Sequence, residues 1–435
     1  MSANHEDYNQ PTPNHAQTQG TPVVWPQRGE VMNRYSTTGT GDTEMPTMDL
    51  SELQAHIRAL ITLEETDAPT LSCYLSVGGP VNDPLPAFDR RVNAVRKVLR
   101  REEREPFEEA LNHIKNFLAN EVHSAAQGVA VFSRAGTRPF SLGLQFQVPL
   151  PDLLLVDSTP NIHHLVELKD TYHRYVVLIT TEKWARILEV NLGAITEELW
   201  TARPELRERV GREWTQEHYQ NHRRDRGERF LKEKIEVLEQ LMSAGGHTHL
   251  ILAGSPRLTA RVRNCLPKHI AAKLVDTVSA SANVRVDDVV TATLSSFVEV
   301  EQEESLTAVA QLVSNLRRGG LAVSATGPTL LALRRGQADV LVLATTYEPP
   351  LGASCRACGW IDAVSRMPAE CPECTSAELR AVNLKEAMVK LAVERSTEVE
   401  FVRDSDTLMD LGGVGCLLRY AMSKQGMWVG SEEGM

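Results

Sequence analysis

A chain of 435 residues, 42% hydrophobic and 24% charged, is too long for one core and apolar enough to bury several, so two to four domains are expected. No apolar run reaches the ~18 residues of a membrane span, and no charged start leads into an apolar core, so neither membrane insertion nor secretion is expected and the cytoplasm is. A net charge of −11 opposes general binding to DNA and leaves any RNA contact to local basic patches, within a screening length of about 8 Å.

Residues 1–48 are rich in Asn, Gln, Pro, Thr and Gly without apolar periodicity, the pattern of a disordered tail. Asp49 or Ser51 then caps an amphipathic helix carrying Leu53, Ile57, Leu60 and Ile61. Thr70–Val77 alternates as a strand. Helices follow from Pro86 to about Glu103 and from Pro106, and strands over 128–133, 140–148 and 153–156 complete an N-terminal α/β domain over residues 49–168. His163–His164 has the look of a strand-end pair rather than a ligand set.

A meander over 175–180, 184–190 and 195–200 opens a middle domain, residues 169–284. A charged stretch, 203–229, runs into a helix over 230–242 that Gly245–Gly246 stops. The buried strand His249–Gly254, a helix over 257–265 and a strand over 272–278 imply a mixed sheet. The last domain, 285–435, starts with a long helix that Asp287 can cap. It continues with a short extended piece over 322–325, a helix over 329–335 ended by Gly336, and the buried strand Asp339–Ala344. After the cysteines come a helix over 384–394, a strand over 398–402 and a final strand over 417–421.

Four of the seven cysteines stand as Cys355-Arg-Ala-Cys358, twelve residues, then Cys371-Pro-Glu-Cys374, while Cys73, Cys265 and Cys416 are scattered. Each Cys-x-x-Cys turn can place two thiolates about 2.3 Å from one zinc ion, and Gly359 lets the first turn aim its amides at the sulfurs. Four thiolates leave no open coordination position, so the expected metal, Zn2+, is structural and the segment 355–374 is a zinc ribbon. Two neighbouring redox dithiols are the competing interpretation.

Arg209, Arg212, Arg223, Arg224 and Arg226 interleave with Trp214, His218, Tyr219 and His222. Arginine forks suit phosphate and aromatic rings suit splayed bases, so this composition fits RNA. Glu205, Glu208, Glu213, Glu217, Asp225 and Glu228 nearly balance it, and by composition alone a solvated helix with i, i+4 pairs is the stronger interpretation. Further basic clusters lie at Arg90, Arg91, Arg96, Lys97, Arg100, Arg101 and Arg104, and at Arg257, Arg261, Arg263 and Lys268. There is no Walker loop, no nucleophile elbow, no His-Glu-x-x-His helix, and no acidic trio in the first strands of the middle domain for two-metal cleavage.

Three passages together resemble the C-terminal domain of archaeal and eukaryotic class 1 release factors and Pelota. They are Ala325-Thr-Gly-Pro-Thr-Leu-Leu-Ala-Leu-Arg-Arg-Gly-Gln-Ala-Asp-Val-Leu-Val-Leu343, the cysteine insertion after that strand, and Val414-Gly-Cys-Leu-Leu-Arg-Tyr420. Leu250-Ile-Leu-Ala-Gly-Ser255 resembles the middle domain of that family, and Leu71-Ser-Cys-Tyr-Leu-Ser76 faintly its N-terminal domain. The nearest subgroup is the bacterial release-factor-like family, which includes the ribosome hibernation factor Balon. The resemblance implies an α/β chain of three domains: an N-terminal α/β domain, a ribonuclease-H-like middle domain, and a C-terminal α/β/α domain with an inserted zinc ribbon. It implies a tRNA-shaped protein in the A site of the 70S ribosome, in contact with ribosomal RNA and facing a translational GTPase such as elongation factor Tu.

Release factors carry Gly-Gly-Gln where this chain reads Arg209-Val-Gly-Arg-Glu-Trp-Thr-Gln-Glu-His-Tyr-Gln-Asn-His222, with Gln216 and Gln220 but no glycine pair. Gly245–Gly246–His247 lies past the helix, as a C-cap. Hydrolysis of peptidyl-tRNA is therefore the weaker expectation, because it depends on placing groups to about 0.5 Å. The position of residues 209–226 within the family makes Arg209, Arg212, Trp214, Gln216, His218, Tyr219, Gln220, His222, Arg223, Arg224 and Arg226 the expected RNA-binding set, with no catalytic residue assigned. The expected function is occupancy of idle or stalled ribosomes, of the hibernation or rescue type, without stop-codon decoding. The alternatives are a peptidyl-tRNA hydrolase acting in rescue, and a stress adaptor that binds protein or structured RNA off the ribosome.

Overall fold

The computed structural model describes residue 45 and residues 47–78, 85–136, 138–202, 216–281 and 283–420. Nearly all of the expected tail lies outside the described residues. Helix α1 (Leu50–Ile61) starts at Asp49, whose carboxylate accepts the Glu52 amide at 2.8 Å, and it buries Leu53, Ile57 and Leu60. It is followed by β1 (Thr70–Ser76), α2 (Leu85–Val98), α3 (Arg104–Asn120), β2 (Gly128–Arg134), β3 (Phe140–Phe146), β4 (Leu153–Asp157) and α4 (His163–Thr171). The strands form one antiparallel sheet in the order β3-β2-β1-β4. Leu71, Cys73 and Leu75 of β1 meet Phe88, Phe107, Leu111 and Ile114 of α2 and α3, while Tyr74 on the opposite face shares a core with Leu53, Ile57 and Leu165.

Two expectations are corrected here. The helix expected to run to Glu103 stops at Val98, because the Glu103 carboxylate accepts the Arg100 amide at 3.0 Å and starts a single 3-10 turn instead. His163 and His164 open a helix rather than end a strand.

The second sheet is built from β5 (Tyr175–Thr180), β6 (Trp184–Asn191) and β7 (Ala194–Ala202), then, after α5 (Gln216–Gly245), from β8 (Leu250–Gly254) and, past α6 (Pro256–Cys265) and α7 (Lys268–Ala271), β9 (Leu274–Ser279). Its order is β7-β6-β5-β8-β9, antiparallel through the meander and parallel from β5 to β9, the mixed sheet expected. Leu178 and Leu252 pack under Leu238 and Leu241 of α5 and Val262 of α6. The other face packs on the first part of α8 (Val286–Arg317), through Val289, Val290 and Phe297.

Helix α8 is one continuous helix of 32 residues that also serves the third sheet, where Val309 and Leu312 join the core. Asp287 does not cap it. Arg285 holds that position, and Asp287 and Asp288 lie in the first turn, where the helix dipole favours acid. Then come β10 (Ala322–Ser324), α9 (Thr326–Arg334), β11 (Ala338–Ala344), β12 (Gly352–Cys355), β13 (Ile361–Ala363), β14 (Leu379–Val382), α10 (Leu384–Glu394), β15 (Glu398–Val402), α11 (Asp406–Asp410) and β16 (Val414–Leu418). The third sheet runs β10-β16-β11-β15, with β11 and β15 parallel. The last strand begins three residues before its expected start at Leu417. Gly415 hides it in the sequence, and it is needed because a Cβ there would meet Leu312 Cδ2 at 2.7 Å. A fourth, small antiparallel sheet, β13-β12-β14, carries the cysteines.

Candidate functional site

Two turns with the same hydrogen bonds bring the four cysteines together. In the first, the Gly359 amide donates to Cys355 C=O at 3.0 Å and the Cys355 amide to Trp360 C=O at 2.8 Å. In the second, the Thr375 amide donates to Cys371 C=O at 2.9 Å and the Cys371 amide to Ser376 C=O at 2.8 Å. Both turns need a residue with left-handed backbone just after the second cysteine. Gly359 provides it at φ +73°, and Thr375 at φ +58°, where a β-branched residue is strained. Trp360 and Leu379 cover the cluster from one side.

Cys355 Sγ lies 3.6 Å from Cys374 Sγ, and Cys358 Sγ 3.6 Å from Cys371 Sγ. A disulfide would bring sulfurs to about 2.0 Å, whereas bonds of about 2.3 Å to one tetrahedral ion separate them by about 3.8 Å. All four ligand atoms lie within 4.8 Å of one another, a set that could hold one metal ion. Burial pushes the Cys355 thiol up, but amide hydrogen bonds from Cys358 and Ala357 outweigh it and bring the thiol down to about 7.

This small sheet is tied to the rest of the chain. Arg356 and Arg380 both reach Glu65, at 2.9 and 2.7 Å, and Arg380 also bonds Ser158. Burial raises the Glu65 carboxyl, but the Ser158 hydrogen bond and the two guanidinium groups outweigh it and hold the group below its ordinary value. One turn further on, α10 supplies a second link. The α4 N-terminus has no capping side chain of its own, and buried Glu386 of α10 accepts the Ile162 amide at 2.8 Å and the His163 amide at 3.0 Å. Its carboxyl is raised by burial, yet the His163 hydrogen bond and the Lys390 charge leave it lowered overall. The local sequence carries no sign of either link, because the partners are more than 200 positions apart. An acidic residue on the buried face of a helix, as Glu386 is, is the one signal that could have raised the question.

Arg209, Arg212 and Trp214 lie outside the described residues. Gln216, His218, Tyr219, Gln220, His222, Arg223, Arg224 and Arg226 follow one another along the first part of α5, on one continuous helix rather than on a loop. Gly245 ends α5 and Gly246 follows at φ +65°, as a C-cap should. A Cβ on Gly245 would stand 2.0 Å from the His247 ring, which is fully buried and bonds Glu189 at 2.6 Å. Gly245 is thus required by packing and Gly246 by its backbone conformation. In the basic cluster of α2, Arg96 is held by both oxygens of Glu108, at 2.6 and 2.7 Å, while Arg90, Lys97 and Arg101 are exposed. Arg257, Arg261, Arg263 and Lys268 are all exposed around α6 and α7.

Residues 160–297 match the family model described as Bacterial archaeo-eukaryotic release factor family 10. Over that stretch the chain is release-factor-like. The matched stretch takes in α4, the whole five-stranded sheet and α8 as far as Phe297. Among solved structures, Archaeoglobus fulgidus Pelota is 12% identical, over 85% of this chain and 92% of its own, with a TM-score of 0.35. Dom34 of S. cerevisiae is 11% identical, over 68% and 80%, with a TM-score of 0.37, and the archaeal termination factor aRF1 is 15% identical, over 86% and 99%, with a TM-score of 0.24. No curated protein matches the chain.

Proposed function

We propose that this release-factor-like chain binds the 70S ribosome and occupies the A site of idle or stalled ribosomes, without decoding a stop codon. The observation that carries the proposal is the family match over residues 160–297. The sheet inside that stretch runs β7-β6-β5-β8-β9, a meander followed by parallel strands, which supports a ribonuclease-H-like middle domain. Residues 49–168, 169–284 and 285–435 are taken as three domains, with the first part of α8, at the start of the third, packing on the sheet of the second. The basic start of α5 and the residues before it face ribosomal or transfer RNA, and a translational GTPase meets the C-terminal domain. Such a protein works in the cytoplasm, and among the described residues no helix is long and apolar enough to cross a membrane.

The four thiols hold Zn2+ in a structural zinc ribbon. Sulfur donors and their tetrahedral spacing favour this ion, and the anchoring through Glu65 gives the ribbon a fixed place beside the first sheet. The direct test is co-sedimentation with 70S ribosomes from growing and starved cells, followed by cryo-electron microscopy of the bound fraction. Absence from ribosomes in both conditions would end the proposal.

A further inference from the structure

Three side chains unused by the proposed function meet where the second sheet packs against α8. His173 lies in the connection from α4 to β5, His249 stands immediately before β8, and Glu301 lies one turn beyond Phe297 on α8. Strands β5 and β8 are adjacent and parallel, and the Val176 amide donates to His249 C=O at 3.0 Å, so both imidazoles stand at the same end of the sheet. Phe297 meets both rings edge-on, at centroid distances of 5.0 and 5.5 Å.

The donor spacing is that of a coordination shell. His173 Nδ1 lies 3.2 Å from Glu301 Oε2, His249 Nε2 lies 3.6 Å from Glu301 Oε1, and His249 Nε2 lies 3.2 Å from Glu304 Oε1. One ligand atom from each of His173, His249 and Glu301 falls within 4.8 Å of the others. Bonds of 2.0–2.1 Å to tetrahedral zinc separate nitrogen and oxygen donors by about 3.3–3.4 Å.

Two further observations point to a cation. Glu301 Oε1 is buried and accepts no hydrogen bond, a costly state for a carboxylate oxygen. The surroundings are also rich in acid. Asp170, Glu304, Glu398 and Glu400 gather beside the site.

We propose that His173, His249 and Glu301 form a second metal site that takes a divalent transition metal of the zinc class, with Glu304 beside the remaining coordination position. Bound there, the ion ties the α4–β5 connection and the start of β8 to α8. Because α8 runs on into the third sheet, the site sets how firmly the second and third sheets are joined. The inference rests on this geometry alone and does not depend on ribosome binding.

The test strips the full-length chain with a chelator, reloads it with Zn2+ or Co2+ and removes free metal. Elemental analysis should find one ion more in the wild-type chain than in Glu301→Gln or His173→Ala, with the affinity of this site for Zn2+ reduced more than about tenfold. Glu301→Gln keeps the side-chain volume, and circular dichroism verifies its fold. With Cys355, Cys358, Cys371 and Cys374 all replaced by Ser, Co2+ should still give visible bands, free of thiolate charge transfer, that vanish when Glu301→Gln is added. Equal metal content in folded wild-type and Glu301→Gln chains would overturn the site and leave a cluster of imidazole–carboxylate hydrogen bonds.

Discussion

Glu386 is the side chain whose loss should be felt furthest from its own helix. Glu386→Ala removes two charge-assisted hydrogen bonds from the α4 N-terminus and leaves both amides buried. A loss of about 2–3 kcal/mol is expected, measured by urea unfolding. Because its folded pKa is lowered, Glu386 stabilises the chain above the ordinary carboxylate range, and that stability is lost as pH falls below it. Glu189 behaves in the same way. The His247 hydrogen bond holds it down to about 2, so its contribution fades as pH drops from about 4.5 towards 2, and His247→Ala should flatten that part of the stability curve. At Thr375 the expected change has the opposite sign. The left-handed backbone that Gly359 adopts freely is strained for Thr, so Thr375→Gly should stabilise the metal-loaded chain by about 1 kcal/mol in thermal unfolding.

Among the elements, the small sheet β13-β12-β14 depends most on something other than its own packing. Its core is Ala353, Cys355, Trp360 and Cys371 with a few half-buried neighbours, too little to hold three strands of four residues or fewer. Cys358→Ser together with Cys371→Ser should abolish zinc binding and open hydrogen exchange over 352–382 first, leaving the second sheet protected. Full protection of that segment in a zinc-free chain would show that Glu65 and its arginines suffice. Helix α8 was legible as a long helix but not as a shared one, since its apolar positions at Val289, Val290, Phe297, Val309 and Leu312 face two sheets in turn.

For the whole molecule, a net charge of −11 makes salt a sharp probe of the proposed function. If the basic start of α5 meets RNA, ribosome affinity should fall steeply with ionic strength. Arg223→Ala with Arg224→Ala should then shallow the log–log slope by about 1–2 while leaving zinc content unchanged. An unchanged slope would place the contact elsewhere, with the exposed cations of α2 and α6 as the next surfaces to test.

Elements that rest on local pattern were visible in the residues themselves. Helix α10 and strand β15 begin and end where the residue pattern puts them, and the cysteine spacing picked out four thiols that stand together in the fold. Each of these depends on residues a few positions apart, whose chemistry is written side by side. Strand β16 was misplaced because Gly415 answers to Leu312, far away in the chain, and the start of α4 was missed because its cap is Glu386. The meeting of His173, His249 and Glu301 has the same origin. Packing free energy is earned between surfaces, and only the folded chain decides which distant surfaces meet.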